Sequence, residues 1–124
     1  MSKTILITGA TDGIGLETAK KLLQQGHTIL AHGRNEEKLD KLKKELATTG
    51  RIETYFADLS SKDAVLYLAK EVAKNHSSIN VLINNAAVLK TSDIITTDGL
   101  DVRFVVNTLA PYLLTKKLLP LLKG

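Results

Sequence analysis

The chain has 124 residues, 44% of them hydrophobic, 24% charged and 4% aromatic, with a formal net charge of +4. That length suits one domain with a real core, and the balance excludes intrinsic disorder. No cysteine is present, which removes disulfides, thiolate metal sites and thiol nucleophiles together.

No apolar run reaches the roughly 20 residues needed to span a bilayer, and the N-terminus lacks a signal-peptide pattern, so the expectation is a cytoplasmic protein with no membrane partner. The positive charge gathers in Lys38, Lys41, Lys43 and Lys44, late on a segment that begins with Glu36 and Glu37. Acid first and base last suits a helix dipole, and aromatics are too few for base stacking, so no nucleic-acid role is expected. No histidine spacing points to a metal site.

In chain order, Thr4–Thr8 is continuously apolar in its middle and reads as a strand buried on both faces. Ile14–Gln25 follows as a helix with Ile14, Leu16, Ala19, Leu22 and Leu23 as its stripe, and Gly26 ends it. Thr28–His32 is a second strand. Asn35 caps a second helix in which Leu39, Leu42 and Leu46 share a face. Ile52–Ala57 makes a third strand, and Ser60 with Asp63 opens a third helix. Ile79–Ile83 is the fourth strand, 87–100 a polar loop, and Asp101–Leu122 a helix apolar on nearly every side. Val102, Val105, Val106, Leu109 and Leu113 form one stripe while Phe104, Leu114, Leu118 and Leu121 lie largely elsewhere, so burial on two sides is expected. Pro111 and Pro120 are expected to kink or end it. Strands alternating with helices predict an α/β, doubly wound parallel sheet.

The first strand runs into Thr8-Gly9-Ala10-Thr11-Asp12-Gly13-Ile14-Gly15 and then a helix. Glycines there let the backbone approach a pyrophosphate, while unpaired N–H groups at the helix start face the anion. This spacing favours a bound dinucleotide over a ligand-free turn. After the second strand stands His32-Gly33-Arg34-Asn35, with no acid for a ribose hydroxyl. Arg34 suits a 2′-phosphate, which favours NADP over NAD, although Asp12 places a negative charge nearby and Arg34 also reads as a plain surface residue. Asp58-Leu59 follows the third strand and Asn84-Asn85-Ala86-Ala87 the fourth. All four motifs lie at the carboxyl ends of strands, where such sheets bind ligands.

Together with Asn107, these motifs resemble the short-chain dehydrogenase/reductase family, and residues 98–107 look like its members related to retinol dehydrogenases and protochlorophyllide reductases. The resemblance implies a Rossmann-like fold and a nicotinamide cofactor. Gly9, Gly13 and Gly15 would shape the pyrophosphate site with donors around Ile14. Arg34 would meet the 2′-phosphate, Asp58 the adenine, and Asn85 and Ala86 the ribose region. Thr11, Asp12, Asn35 and Leu59 complete the expected cofactor set. Ala87 replaces the family's usual glycine, a change that crowds the nicotinamide side. Asn107 would be the first member of the Asn-Ser-Tyr-Lys tetrad, holding a water in the proton relay.

The family's serine and Tyr-x-x-x-Lys follow that helix and do not occur here at the family's spacing. Tyr112 and Lys116 spell the pattern but share the helix of Asn107 among leucines that read as packing, so no catalytic role is expected of them. The expectation is therefore a half-domain over 1–124 with strand order 3-2-1-4. It would bind NADP without turning over alone, and would take a small-molecule substrate only in a completed chain. The alternative is an inactive nucleotide-binding or self-assembling module. A homo-oligomer is expected, formed through the strand 4 edge or the 101–122 helix.

Overall fold

Continuous apolar runs form strands in this chain because the sheet they build is covered on both faces. The computed structural model describes residues 2–86, 107 and 109–122. Within them β1 (Thr4–Ile7), β2 (Thr28–Gly33), β3 (Ile52–Phe56) and β4 (Val81–Ile83) form one parallel sheet in the order β3-β2-β1-β4, as expected. β1 sets Ile5, Leu6 and Ile7 beside Ile29, Leu30 and Ala31 on one side and Val81, Leu82 and Ile83 on the other. The strand order reverses at β1, so a crevice opens between the carboxyl ends of β1 and its two neighbours.

The helices are α1 (Gly13–Gln24), α2 (Glu36–Leu46), α3 (Lys62–Asn75) and α4 (Ala110–Leu118), the last passing into a 3₁₀ turn at Leu119–Leu121. Side chains alternate across β1 and β2. Ile5, Ile7, Ile29 and Ala31 pack with Ala19 and Leu23 of α1 and with Leu42 and Leu46 of α2. Leu6 and Leu30 point the other way, into a second core with Leu68 and Val72 of α3 and Leu114 and Leu118 of α4.

Local chemistry sets the element ends. Asn35 caps α2 by accepting the Lys38 N–H at 3.1 Å, with Glu36 and Glu37 in the first turn and Lys43 and Lys44 in the last. Three expectations change. Ser61, not Ser60, caps α3, accepting the Ala64 N–H at 3.3 Å, because Asp58 already engages the Ser60 N–H and hydroxyl at 3.0 and 2.8 Å. The buried face of α1 is Gly15, Ala19 and Leu23, while Ile14 is 78% exposed. On α4, Ala110, Leu114 and Leu118 are buried, with Leu113, and Leu121 of the 3₁₀ turn, partly buried against the same core, in keeping with the expected burial of more than one face.

The fourth strand is shorter than expected, its Ile79 instead making a parallel bridge to Leu122 and donating its N–H to the Leu121 carbonyl at 2.9 Å. Pro111 sits in the first turn of α4, where its missing N–H costs nothing, and Pro120 lies in the 3₁₀ turn. The expected loop 87–100 with Ala87, and the expected helix over 101–106, lie outside the described residues.

Candidate functional site

The ends of β1, β2, β3 and β4 meet around a cleft of about 250 Å³ lined by Gly9, Thr11, Asp12, His32, Gly33, Arg34, Asp58, Leu59, Asn85 and Ala86. Of the residues expected from the sequence, Gly9, Thr11, Asp12, Arg34, Asp58, Leu59, Asn85 and Ala86 are brought together there. Gly13, Ile14 and Gly15 form the adjoining first turn of α1. Asn35 stands just outside the cleft with its side chain committed to the α2 cap. Asn107 is exposed in the turn ahead of α4. Tyr112, 63% exposed on α4, does not line the cleft, and neither does Lys116.

The glycine loop is held by a network that no spacing rule predicts. The buried Thr8 hydroxyl accepts the N–H groups of Asn85 and Ala86 at 2.9 and 3.0 Å, which ties the end of β1 to the end of β4. Asn85 returns the link by donating its side-chain amide to the Gly9 carbonyl at 3.0 Å. His32, 2% exposed, accepts the Gly9 N–H on Nδ1 at 3.1 Å and bonds the Ala57 carbonyl through Nε2 at 2.8 Å. Burial pushes its pKa below the ordinary histidine value, partly offset by the Ala57 hydrogen bond and the charge of Asp58.

Lys38 reaches the cleft through Asp12. Its ammonium lies 2.8 Å from the Asp12 carboxylate, so the negative charge that opposed a phosphate near Arg34 is already countered. The sequence places Lys38 only among the basic residues of a solvated helix face, because its partner Asp12 is 26 residues away. Asp12, so engaged, makes no side-chain cap on α1, and the first-turn N–H groups of that helix are left for an incoming anion.

These features fit a dinucleotide. A Cβ built on Gly13 meets nothing within 4 Å, and its φ of +56° suits glycine, so the loop presents bare backbone to open space. Gly15 serves a different purpose. A Cβ there would collide with the Gly9 carbonyl oxygen and the Asn85 amide, so α1 can close on the loop only without a side chain.

The residues fall in the pattern of known proteins. A family model described as short chain dehydrogenase matches residues 3–124. Mouse retinol dehydrogenase 13 is 35% identical over 125 residues, covering 98% of this chain and 37% of its own length. A metagenomic short-chain oxidoreductase solved in complex with NADP superposes with a TM-score of 0.82 at 34% identity, over 95% of this chain and 55% of that one. RhlG from Pseudomonas aeruginosa, solved as an NADP active-site complex, gives a TM-score of 0.83 at 26% identity, over 96% and 47%. The chain thus spans well under half of that curated relative and about half of the two solved chains.

Proposed function

The chain belongs to the short chain dehydrogenase family, and on that premise we propose that its cleft holds NADP(H) for hydride exchange between a carbonyl and an alcohol. The observation that carries this reading is a cleft lined by Gly9, Asp12 and Arg34, with Lys38 paired to Asp12, next to an uncapped helix start with open glycine backbone at Gly13. Two structural neighbours solved with NADP support it.

The bound nicotinamide would supply or accept the hydride. Backbone N–H groups from Gly13 to Gly15 take the pyrophosphate charge. Arg34, with Lys38 at hand, favours the 2′-phosphate over a bare ribose hydroxyl. Asp58 accepts from the adenine amino group, and Asn85 and Ala86 border the ribose. Asn107, ahead of α4, orients a water for the proton relay. What residues 1–124 contribute to that exchange is the cofactor cleft and the Asn107 position, and the carbonyl or alcohol is a small-molecule substrate. Self-association is proposed along β4, whose outer edge among the described residues carries only the bridge at Ile79.

Calorimetric titration with NADP⁺ and NAD⁺ tests the reading. NADP⁺ should bind the more tightly, and Arg34→Ala should remove about a tenfold share of that preference, the worth of a charge-assisted pair. Absence of heat with either dinucleotide at about 1 mM refutes it.

A further inference from the structure

His32 is chemically surprising where it stands. An apolar residue would complete the inward pattern of β2, yet the chain places an imidazole there, 2% exposed, beneath the glycine loop. Its main-chain carbonyl accepts the Ala10 N–H at 2.8 Å, and its ring spans from Gly9 to Ala57.

The partners determine the ring's protonation. An amide N–H only donates, so Nδ1 must carry a lone pair toward Gly9; a carbonyl only accepts, so Nε2 must carry the hydrogen toward Ala57. The ring is therefore neutral and in one tautomer. A second proton has one place to go, Nδ1, where it would face the Gly9 N–H head on. We infer that His32 is a titratable latch on the glycine loop: neutral, it fixes the Gly9 peptide in the shape that receives the dinucleotide, and protonated, it releases that peptide and weakens binding. This rests on the dinucleotide reading above and adds a control to it.

Gly9 is positioned on both sides, the peptide before it through its N–H on His32 and the peptide after it through its carbonyl on Asn85. Losing the first leaves a donor without a partner and a loop no longer shaped in advance for its ligand. The charged groups that line the cleft with the ring are Asp58 after β3, Asp12 in the glycine loop and Arg34 after β2, with Lys38 of α2 reaching it only through its pair with Asp12. β4 contributes the uncharged Asn85 and Ala86. Only Asp58 registers as favouring the charged ring, and burial outweighs it. The latch is thus closed at neutral pH and opens on acidification, below the ordinary histidine range.

The test measures NADP⁺ affinity by calorimetry between about pH 8 and pH 5 for the native chain and for His32→Asn and His32→Gln. Asn places an oxygen where Nδ1 stood, so it keeps the Gly9 bond and does not titrate; Gln reaches Ala57 but abandons Gly9. Because a 2′-phosphate itself titrates near pH 6, the readout is the difference between proteins. The native affinity should fall about tenfold more than that of His32→Asn across the range, and His32→Gln should bind weakly at every pH, by about the same factor. Coincident profiles for the native chain and His32→Asn overturn the latch.

A nitrogen-15 NMR titration of the native chain supplies a second readout that needs neither ligand nor variant. The ring should show the neutral Nε2–H tautomer at neutral pH, and the Gly9 amide resonance should move as the ring titrates. A Gly9 amide indifferent to that titration, or a ring already charged at neutral pH, overturns the latch even where a variant fails to fold. Should no protein bind NADP⁺ at any pH, the dinucleotide reading fails and the same resonances decide whether His32 governs the loop.

Discussion

Replacing Gly15 by alanine adds one methyl group at the tightest point of the cleft. That Cβ would overlap the Gly9 carbonyl oxygen and the Asn85 amide nitrogen, and would sit 3.0 Å from the Gly9 carbonyl carbon. Backbone atoms cannot rotate away as a side chain can, so the loop or α1 must move by roughly 1 Å to regain an ordinary contact of about 3.5 Å. Such overpacking costs about 3 kcal/mol at the upper end of its usual range. Loss of the Asn85–Gly9 hydrogen bond adds about 1 kcal/mol. Alanine's better helix propensity returns about 1 kcal/mol.

The net loss of about 3 kcal/mol should lower the melting temperature by about 10–15 °C in a domain of this size. NADP⁺ affinity should fall by at least about tenfold, since the same movement spoils the cradle. Gly50→Ala is the matched control: its Cβ would meet Leu23 Cδ1 at 3.0 Å, a side-chain atom that can shift, and its cost should stay within about 1 kcal/mol. Thermal denaturation and calorimetry read both effects. A Gly15→Ala protein that melts and binds like the native chain would refute the close-approach argument.

Lys38→Met should weaken NADP⁺ several-fold, about 1 kcal/mol, and NAD⁺ much less, with little change in melting because the Lys38–Asp12 pair is exposed; equal losses for both dinucleotides in calorimetry would contradict the assignment. Thr8→Val strands the Asn85 and Ala86 N–H groups and should cost about 2–3 kcal/mol in urea denaturation, whereas Thr8→Ser should cost far less; similar losses for the two would show that the hydroxyl is not what matters. At Glu53, burial alone would raise the carboxyl's pKa, but hydrogen bonds from His76 and Tyr55 and the charges of His76 and Arg51 outweigh it and hold the group below its ordinary value. That stabilisation is present above about pH 4.5 and is lost as the pH falls through the lowered folded value. Glu53→Gln should accordingly flatten the acid limb of stability against pH, and an unchanged slope would count against the pairing. The Tyr55 phenol, pushed up to about 12 chiefly by burial, should stay protonated in an alkaline absorbance titration well past the ordinary tyrosine value of about 10.

Most of the sheet and much of the cleft can be read from one dimension because their signals are local. Ile5–Ile7 and Ile29–Ala31 are short apolar runs, and the residues that follow each strand land together once the strands are parallel. What escaped the reading is non-local or competitive. Lys38 matters through Asp12, and His32 through Gly9 and Ala57, contacts that exist only after β1, β2 and β3 are aligned. Ser60 and Ser61 have the same capping chemistry, and Asp58 decides between them. Ile14 fits the apolar stripe of α1 by period, yet its place in the first turn brings it beside the cleft rather than under the sheet.

The alternation along β1 has a consequence for how the protein can change. Leu6 faces α3 and α4 while Ile5 and Ile7 face α1 and α2, so the sheet acts as a partition between two cores that share no side chains. Volume changes on the α3–α4 side are absorbed there, because substitutions without common neighbours contribute independently. The α1–α2 core is insulated from them, but the cleft is not: Leu59 belongs to the α3–α4 core and Ala86 packs against it, and both line the cleft, so the nucleotide chemistry draws on both sides of the partition.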